Sequence, residues 1–231
     1  MGLKEELTAE VNQTLATKWE VQETTDVPDP EDVRLKSNSA KDLKMATVLY
    51  ADIDGSTSMV DKFKWFFSAE VYKAYLRCAA QIIRSEKGTI TAYDGDRVMA
   101  VFTGDSMNTN AVRAALKINY AVVEIIRPAI KNQYPKDDFL FKHVIGIDSS
   151  QLHTARIGVH GDNDLVWIGR AANYAAKLCT LSDKPIWITK AVYDKMNKEV
   201  KFSNSEDMWT SYKWTAMNEM EIFATTYRME L

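Results

Sequence analysis

Apolar residues recur every four positions at Leu3, Leu7, Val11, Leu15 and Trp19, the stripe of a short helix whose face needs another surface to cover it. Pro28, Pro30 and the polar run Ser37-Asn38-Ser39 then predict an irregular connector, because proline fixes the backbone and removes a donor. Residues 45–53 are almost continuously apolar with β-branched members, the pattern of a buried central strand. Over 59–84, Phe63, Phe67, Val71, Tyr75, Ala79, Ile82 and Ile83 keep helical spacing, which predicts a long helix capped within 56–58 and broken near Ser68. Residues 89–93 and 98–103 read as strands around the hairpin signal Asp94-Gly95. A second long helix is expected over 111–130, ended near Pro128 and Tyr134-Pro135. Residues 139–148 and 152–159 then read as a strand pair, 165–168 as a brief strand, 170–181 as a helix, 185–189 as a strand, 191–196 as a short helix and 208–227 as edge strands.

The order strand, helix, strand, strand, helix, strand predicts an α+β fold with helices packed on an antiparallel sheet. At 231 residues the chain suits one domain with an extension, divided as an N-terminal helix and connector over 1–40 and a compact domain over 41–231. The net charge of -3, with basic residues scattered, offers no footprint for nucleic acid. Cys78 and Cys179 lie in helical patterns without metal-ligand spacing, as reduced packing thiols do. No stretch approaches the ~18 to 20 apolar residues of a membrane span, so the expectation is a cytoplasmic protein with neither membrane nor nucleic-acid partners.

Two runs carry the chemistry. Leu49-Tyr50-Ala51-Asp52-Ile53-Asp54-Gly55-Ser56-Thr57 and Tyr93-Asp94-Gly95-Asp96-Arg97-Val98-Met99 each place carboxylates beside a tight turn at the end of an apolar run. Either alone reads equally as an ordinary turn. Together they suit Mg2+ or Mn2+, and two such ions about 3.5 to 4 Å apart can stabilise both oxygens of an in-line phosphoryl displacement. Strand alternation puts Tyr50 with Asp52, and Ala92 and Asp94 with Asp96 if the hairpin stays regular. The Ile53 carbonyl is a further candidate ligand, and the turn through Gly55, Ser56 and Thr57 leads to a helix start suited to phosphate. A third element, Gly169-Arg170-Ala171-Ala172-Asn173-Tyr174-Ala175-Ala176-Lys177-Leu178, places Arg170, Asn173 and Lys177 on one helix face, with alanines that allow close packing. A solvated polar face would have the same spacing. His143, His153 and His160 show no metal or triad spacing.

These three elements, in this order, resemble the catalytic domain of class III nucleotidyl cyclases from about Lys41 to the C-terminus, which implies a ferredoxin-like βαββαβ core with a C-terminal edge-strand extension. In that family the first run reads Phe-Ala-Asp-Ile, matching Tyr50-Ala51-Asp52-Ile53, and the hairpin carries Gly-Asp, matching Gly95-Asp96. The resemblance implies two divalent cations, Mn2+ or Mg2+, on Asp52, Ile53 and Asp96. It makes Asn173 a transition-state ligand, while Lys177 stands where the family has arginine and Arg170 could supply the missing guanidinium. Positions that select purines hold Ala92 and Val166, without polar groups. The combination is most similar to the pyrimidine cyclases of bacterial Pycsar anti-phage systems. That likeness implies cyclisation of UTP, or else CTP, in a homodimer, with the product read by a separate effector protein. Tyr50 then either contacts the base or is a core residue. Purine cyclisation and a non-catalytic cyclase-like binding module remain as alternatives. So does a haloacid-dehalogenase-type phosphatase, suggested by Asp52-Ile53-Asp54-Gly55, although an antiparallel hairpin does not belong in that parallel fold.

Overall fold

The computed structural model describes residues 2–35, 37–136 and 138–231. Helix α1 (Leu3–Ala16) forms on the predicted stripe, and none of its residues is buried. Strands β1 (Glu20–Glu23) and β2 (Ser39–Asp42) pair in parallel. Then come β3 (Ala46–Asp54), α2 (Ser56–Lys62), α3 (Trp65–Ser85), β4 (Thr89–Asp94), β5 (Arg97–Phe102), α4 (Met107–Ala121), α5 (Arg127–Gln133) and β6 (Lys142–Ser150), the expected βαββαβ order. The chain continues through β7 (His153–Val159), β8 (Asp162–Ile168), α6 (Arg170–Leu178), β9 (Ile186–Thr189) and α7 (Lys190–Lys195). It ends with two short strands, β10 (Phe202–Ser203) and β11 (Glu206–Asp207), and a hairpin of β12 (Thr210–Trp214) and β13 (Met220–Thr225).

Seven strands form the main sheet in the order β12-β13-β9-β6-β3-β5-β4. Within it only the β6–β9 pair is parallel. The fold is α+β, as the element order predicts. One face of β3, through Leu49, Ala51 and Ile53, packs with Tyr75 and Ile83 of α3 and Ala111 and Leu116 of α4 in the largest core cluster. The other face, through Val48 and Tyr50, meets Ala171, Ala172 and Ala175 of α6. Those alanines let α6 lie almost on the backbone of β6. A Cβ on Gly146 would come within 2.1 Å of the Ala175 carbonyl oxygen, so only glycine fits there.

Several details differ from expectation. The long first helix breaks at Phe63–Lys64, between α2 and α3, and not near Ser68, which is buried inside α3. Pro128 does not end the second helix: α4 starts early, at Met107, and passes through a π-helical turn at Val122–Ile126 into α5. Pro128 follows just after that π-helical turn, where the i→i−4 ladder is already interrupted and a residue without an N–H fits. The segments expected to pair as β6 and β7 do not pair. Strand β6 lies between β3 and β9, whereas β7 joins a second sheet of order β1-β2-β7-β8. Residue 40 lies within β2, which with β1 belongs to that second sheet. The exposed strand β1, Glu20-Val21-Gln22-Glu23, has no buried side to betray it in the sequence.

Candidate active site

Asp52 sits near the end of β3, where the buried run gives out. Ala51 pairs with Val98 across the β3–β5 ladder, so the next residues of the two strands, Asp52 and Arg97, come opposite each other. Arg97 donates from Nε to Asp52 Oδ2 at 3.1 Å, and its Nη2 lies 2.9 Å from the same oxygen as an ion pair. The other oxygen, Oδ1, accepts the Ile53 N–H at 3.1 Å. Tyr50 is the diagonal neighbour of Arg97, within reach of a long side chain, and the guanidinium carbon lies 5.8 Å from the ring centroid. Sequence reasoning passed over Arg97, and only the strand register reveals its role.

The hairpin is centred one residue later than Asp94-Gly95 suggests. Asp94 pairs with Arg97, which leaves Gly95 and Asp96 as the central residues. Gly95 has φ +60 at the first central position, where a II′-type turn requires glycine. A bulge between Ile90 and Ala92 further breaks the alternation, so Asp96 takes its place from the turn and not from a regular strand. Asp96 Oδ2 is buried without a hydrogen-bond partner.

The electrostatics bind these groups into one site. Burial raises the Asp52 carboxyl above the ordinary carboxylate range; Arg97 pulls it back and Asp96 pushes it further up, with a net rise. Tyr72 of α3 joins them: burial and then Asp96 raise its hydroxyl, and the Ser56 side chain hydrogen-bonds to it. Cys179, just past α6, lies against the Tyr50 carbonyl at 3.5 Å, and burial with Asp52 pushes its thiol up to about 12, so it stays protonated. Tyr72 was missed because its position in the α3 pattern reads as packing alone.

Two close carboxylates with one orphaned oxygen suit a cation. Among the described residues no group of three or more His, Cys, Asp and Glu is placed to hold a metal ion. A cation held by Asp52, Asp96 and the Ile53 carbonyl would therefore draw its remaining oxygens from water and phosphate, which is the usual habit of Mg2+. Gly55, in the left-handed region, links β3 to α2, with Ser56 and Thr57 as the first residues of the helix. That helix is only seven residues long, which makes it a short source of free backbone donors.

The third element is placed differently. Arg170 does not join Asn173 and Lys177: its Nε and Nη2 grip the fully buried Asp148 of β6 at 3.0 and 3.2 Å, and Nη2 also donates to the Ser149 carbonyl at 2.9 Å. As the first residue of α6 it is free to turn back over the helix start, a freedom that mid-helix spacing does not describe. Asn173 and Lys177 are exposed, and Lys177 Nζ lies 3.7 Å from Met217 Sδ. The end of α6 that abuts Asp52 is at Cys179, and Asn173 is about 9 Å back along the axis. Ala92 packs in the apolar cluster with Tyr50, whereas Val166 lies in the second sheet, opposite Ala155.

No family model matches the chain. A uridylate cyclase of Burkholderia cepacia is 62% identical over 217 residues, 94% of each chain. One of Xanthomonas perforans is 48% identical over 231 residues, the whole of both. Among solved structures, the adenylyl cyclase CyaB of P. aeruginosa superposes with a TM-score of 0.70 at 21% identity, over 80% of this chain and 95% of that one. The guanylyl cyclase Cya2 gives 0.66 at 16%, over 80% and 93%. The solved structures show the fold alone, while identity of this extent over nearly all of both chains places the protein in the uridylate cyclase family, as a nucleotidyl cyclase of class III architecture.

Proposed function

We propose that the protein converts UTP to 3',5'-cyclic UMP and pyrophosphate with two divalent cations, Mn2+ or Mg2+, held by Asp52, Asp96 and the Ile53 carbonyl. The observation that carries the metal assignment is the buried, partnerless Oδ2 of Asp96 beside Asp52. Bound there, the ions would favour ionisation of the ribose 3'-hydroxyl and offset the charge of the triphosphate. The 3' oxygen forms a bond to the α-phosphorus, the bond from that phosphorus to the bridging oxygen breaks, and the hydroxyl proton leaves to solvent. The turn at Gly55, Ser56 and Thr57 faces the departing pyrophosphate.

Asn173 and Lys177 act on the α-phosphate of a partner subunit's site, so that two composite sites form in a homodimer. This reading is supported by their outward placement and by the distance of Asn173 from Asp52 along α6. Arg170 has no part in it, its donors being engaged by Asp148. Tyr50 bounds the base pocket with Ala92, while Val166 stands apart in the second sheet; neither Ala92 nor Val166 offers the polar group that a purine edge would require. The relatives' name favours uracil over cytosine. The product serves as a second messenger in antiviral defence, made in the cytoplasm and read by a separate effector. Among the described residues no helix is long and apolar enough to cross a membrane.

One assay tests the whole reading: the purified chain with Mn2+ and each of the four nucleoside triphosphates. UTP should be cyclised at least tenfold faster than ATP or GTP, and Asp52→Ala or Asp96→Ala should abolish product while the chain stays folded. Preference for a purine would refute the substrate assignment, and near-normal turnover by either variant would refute the metal site.

A further inference from the structure

Arg97 is adjacent to Asp96 in sequence, yet it serves Asp52 and leaves Asp96 Oδ2 without a partner. Both of its contacts fall on a single oxygen, Asp52 Oδ2, while Oδ1 is engaged by the Ile53 N–H. The carboxylate that a cation needs is therefore already neutralised. Oδ2 keeps a lone pair for a divalent ion, but an ion bound there would share one oxygen with the guanidinium, and the two cations would repel each other. Arg97 is the member of the pair with room to move: its side chain is 36% exposed against 15% for Asp52, and Tyr50 gives it a surface to slide along.

We propose that Arg97 is the resident counter-ion of the metal site, holding Asp52 in the metal-free chain and leaving it when a divalent cation binds. The proposal rests on the assignment of Asp52 and Asp96 as metal ligands. Arg97 competes with the first cation, so the metal-free enzyme binds metal weakly. Once released, the guanidinium stands beside Tyr50, where Asp94 is within electrostatic reach, and a triphosphate arriving with the metal supplies the stronger negative charge. Metal and nucleotide then bind with positive coupling, because each removes a cost that the other would otherwise meet. Such a guard keeps two like charges from facing each other before substrate arrives.

The test is Mn2+ binding to the full-length protein without nucleotide, read from the paramagnetic resonance signal of free Mn2+. Arg97→Met should bind Mn2+ at least tenfold more tightly than wild type. A non-cyclisable UTP analogue should tighten Mn2+ binding in wild type by a larger factor than in Arg97→Met. Equal or weaker Mn2+ binding by Arg97→Met, or an equal gain from the analogue in both, overturns the proposal. Asp52→Asn separates this from the assignment beneath it: wild-type Mn2+ affinity in that variant would overturn both, whereas its loss beside an unaltered Arg97→Met would overturn the counter-ion role alone. A reading on the wild-type chain removes any dependence on the variants' folding. The Arg97 Nε–H resonance should move on saturation with diamagnetic Mg2+ as its bond to Asp52 is lost, and an unmoved resonance refutes the exchange.

Discussion

Arg170 offers a sharp test, because helical spacing makes it a catalytic candidate and geometry makes it a latch. Its guanidinium forks onto Asp148, a carboxylate with no exposed surface, to which among the described residues the Thr189 hydroxyl also donates. Arg170→Met keeps much of the side chain's bulk but strands a buried charge. Removing one partner of a buried pair costs about 3 to 5 kcal/mol, and the lower end applies because Arg170 itself is 44% exposed. For a chain of this size, about 3 kcal/mol lowers Tm by roughly 6 to 12 °C. Arg170→Lys should recover only part of this, since an ammonium cannot grip both carboxylate oxygens at once. Thermal unfolding gives the first number, and kcat measured well below the transition gives the second, expected within tenfold of wild type. A Tm within about a degree of wild type together with a hundredfold fall in kcat would show that Arg170 clamps phosphate instead, and would refute the latch.

Co-refolding inactive Asp52→Ala and Asn173→Ala chains should return roughly a quarter of wild-type activity, because half the dimers are mixed and each has one intact site of two; none, with mixed dimers present, would place the site within one chain. Tyr50→Ala should lower kcat/KM for UTP or loosen the preference over ATP, and no change in either makes Tyr50 a packing residue. His143 is buried with neither ring nitrogen bonded, and burial lowers its pKa from 6.5 to about 3. The unfolded chain therefore takes up a proton that the folded one refuses, so stability falls as pH drops from 6.5 towards 3, by several kcal/mol. Denaturant titrations should find His143→Phe less sensitive to acid over that window; an identical pH dependence would refute the assignment.

What the sequence disclosed and what it hid follow from how far each signal reaches. Asp52 and Asp96 are legible because carboxylates at the ends of an apolar strand and within a hairpin turn are local events, fixed by a few neighbouring residues. The alanines of α6 also speak locally, and the structure answers them with Gly146 beneath Ala175. Arg97 is different: it matters because the β3–β5 register sets it opposite Asp52, and register is a property of two strands with more than forty residues between them. Arg170 misled for a related reason, since spacing predicts which residues share a helix face but not that a first-turn side chain can leave it for a buried aspartate on β6. Strand β1 was invisible because all four of its residues are exposed, and its only lasting mark is the parallel pairing with β2. Each of these misses is a contact between distant segments, and in this fold the site is assembled from such contacts. Asp52, Asp96 and Tyr72 come from β3, the hairpin turn and α3, and the arginine paired with Asp52 is one that only the assembled sheet brings into place.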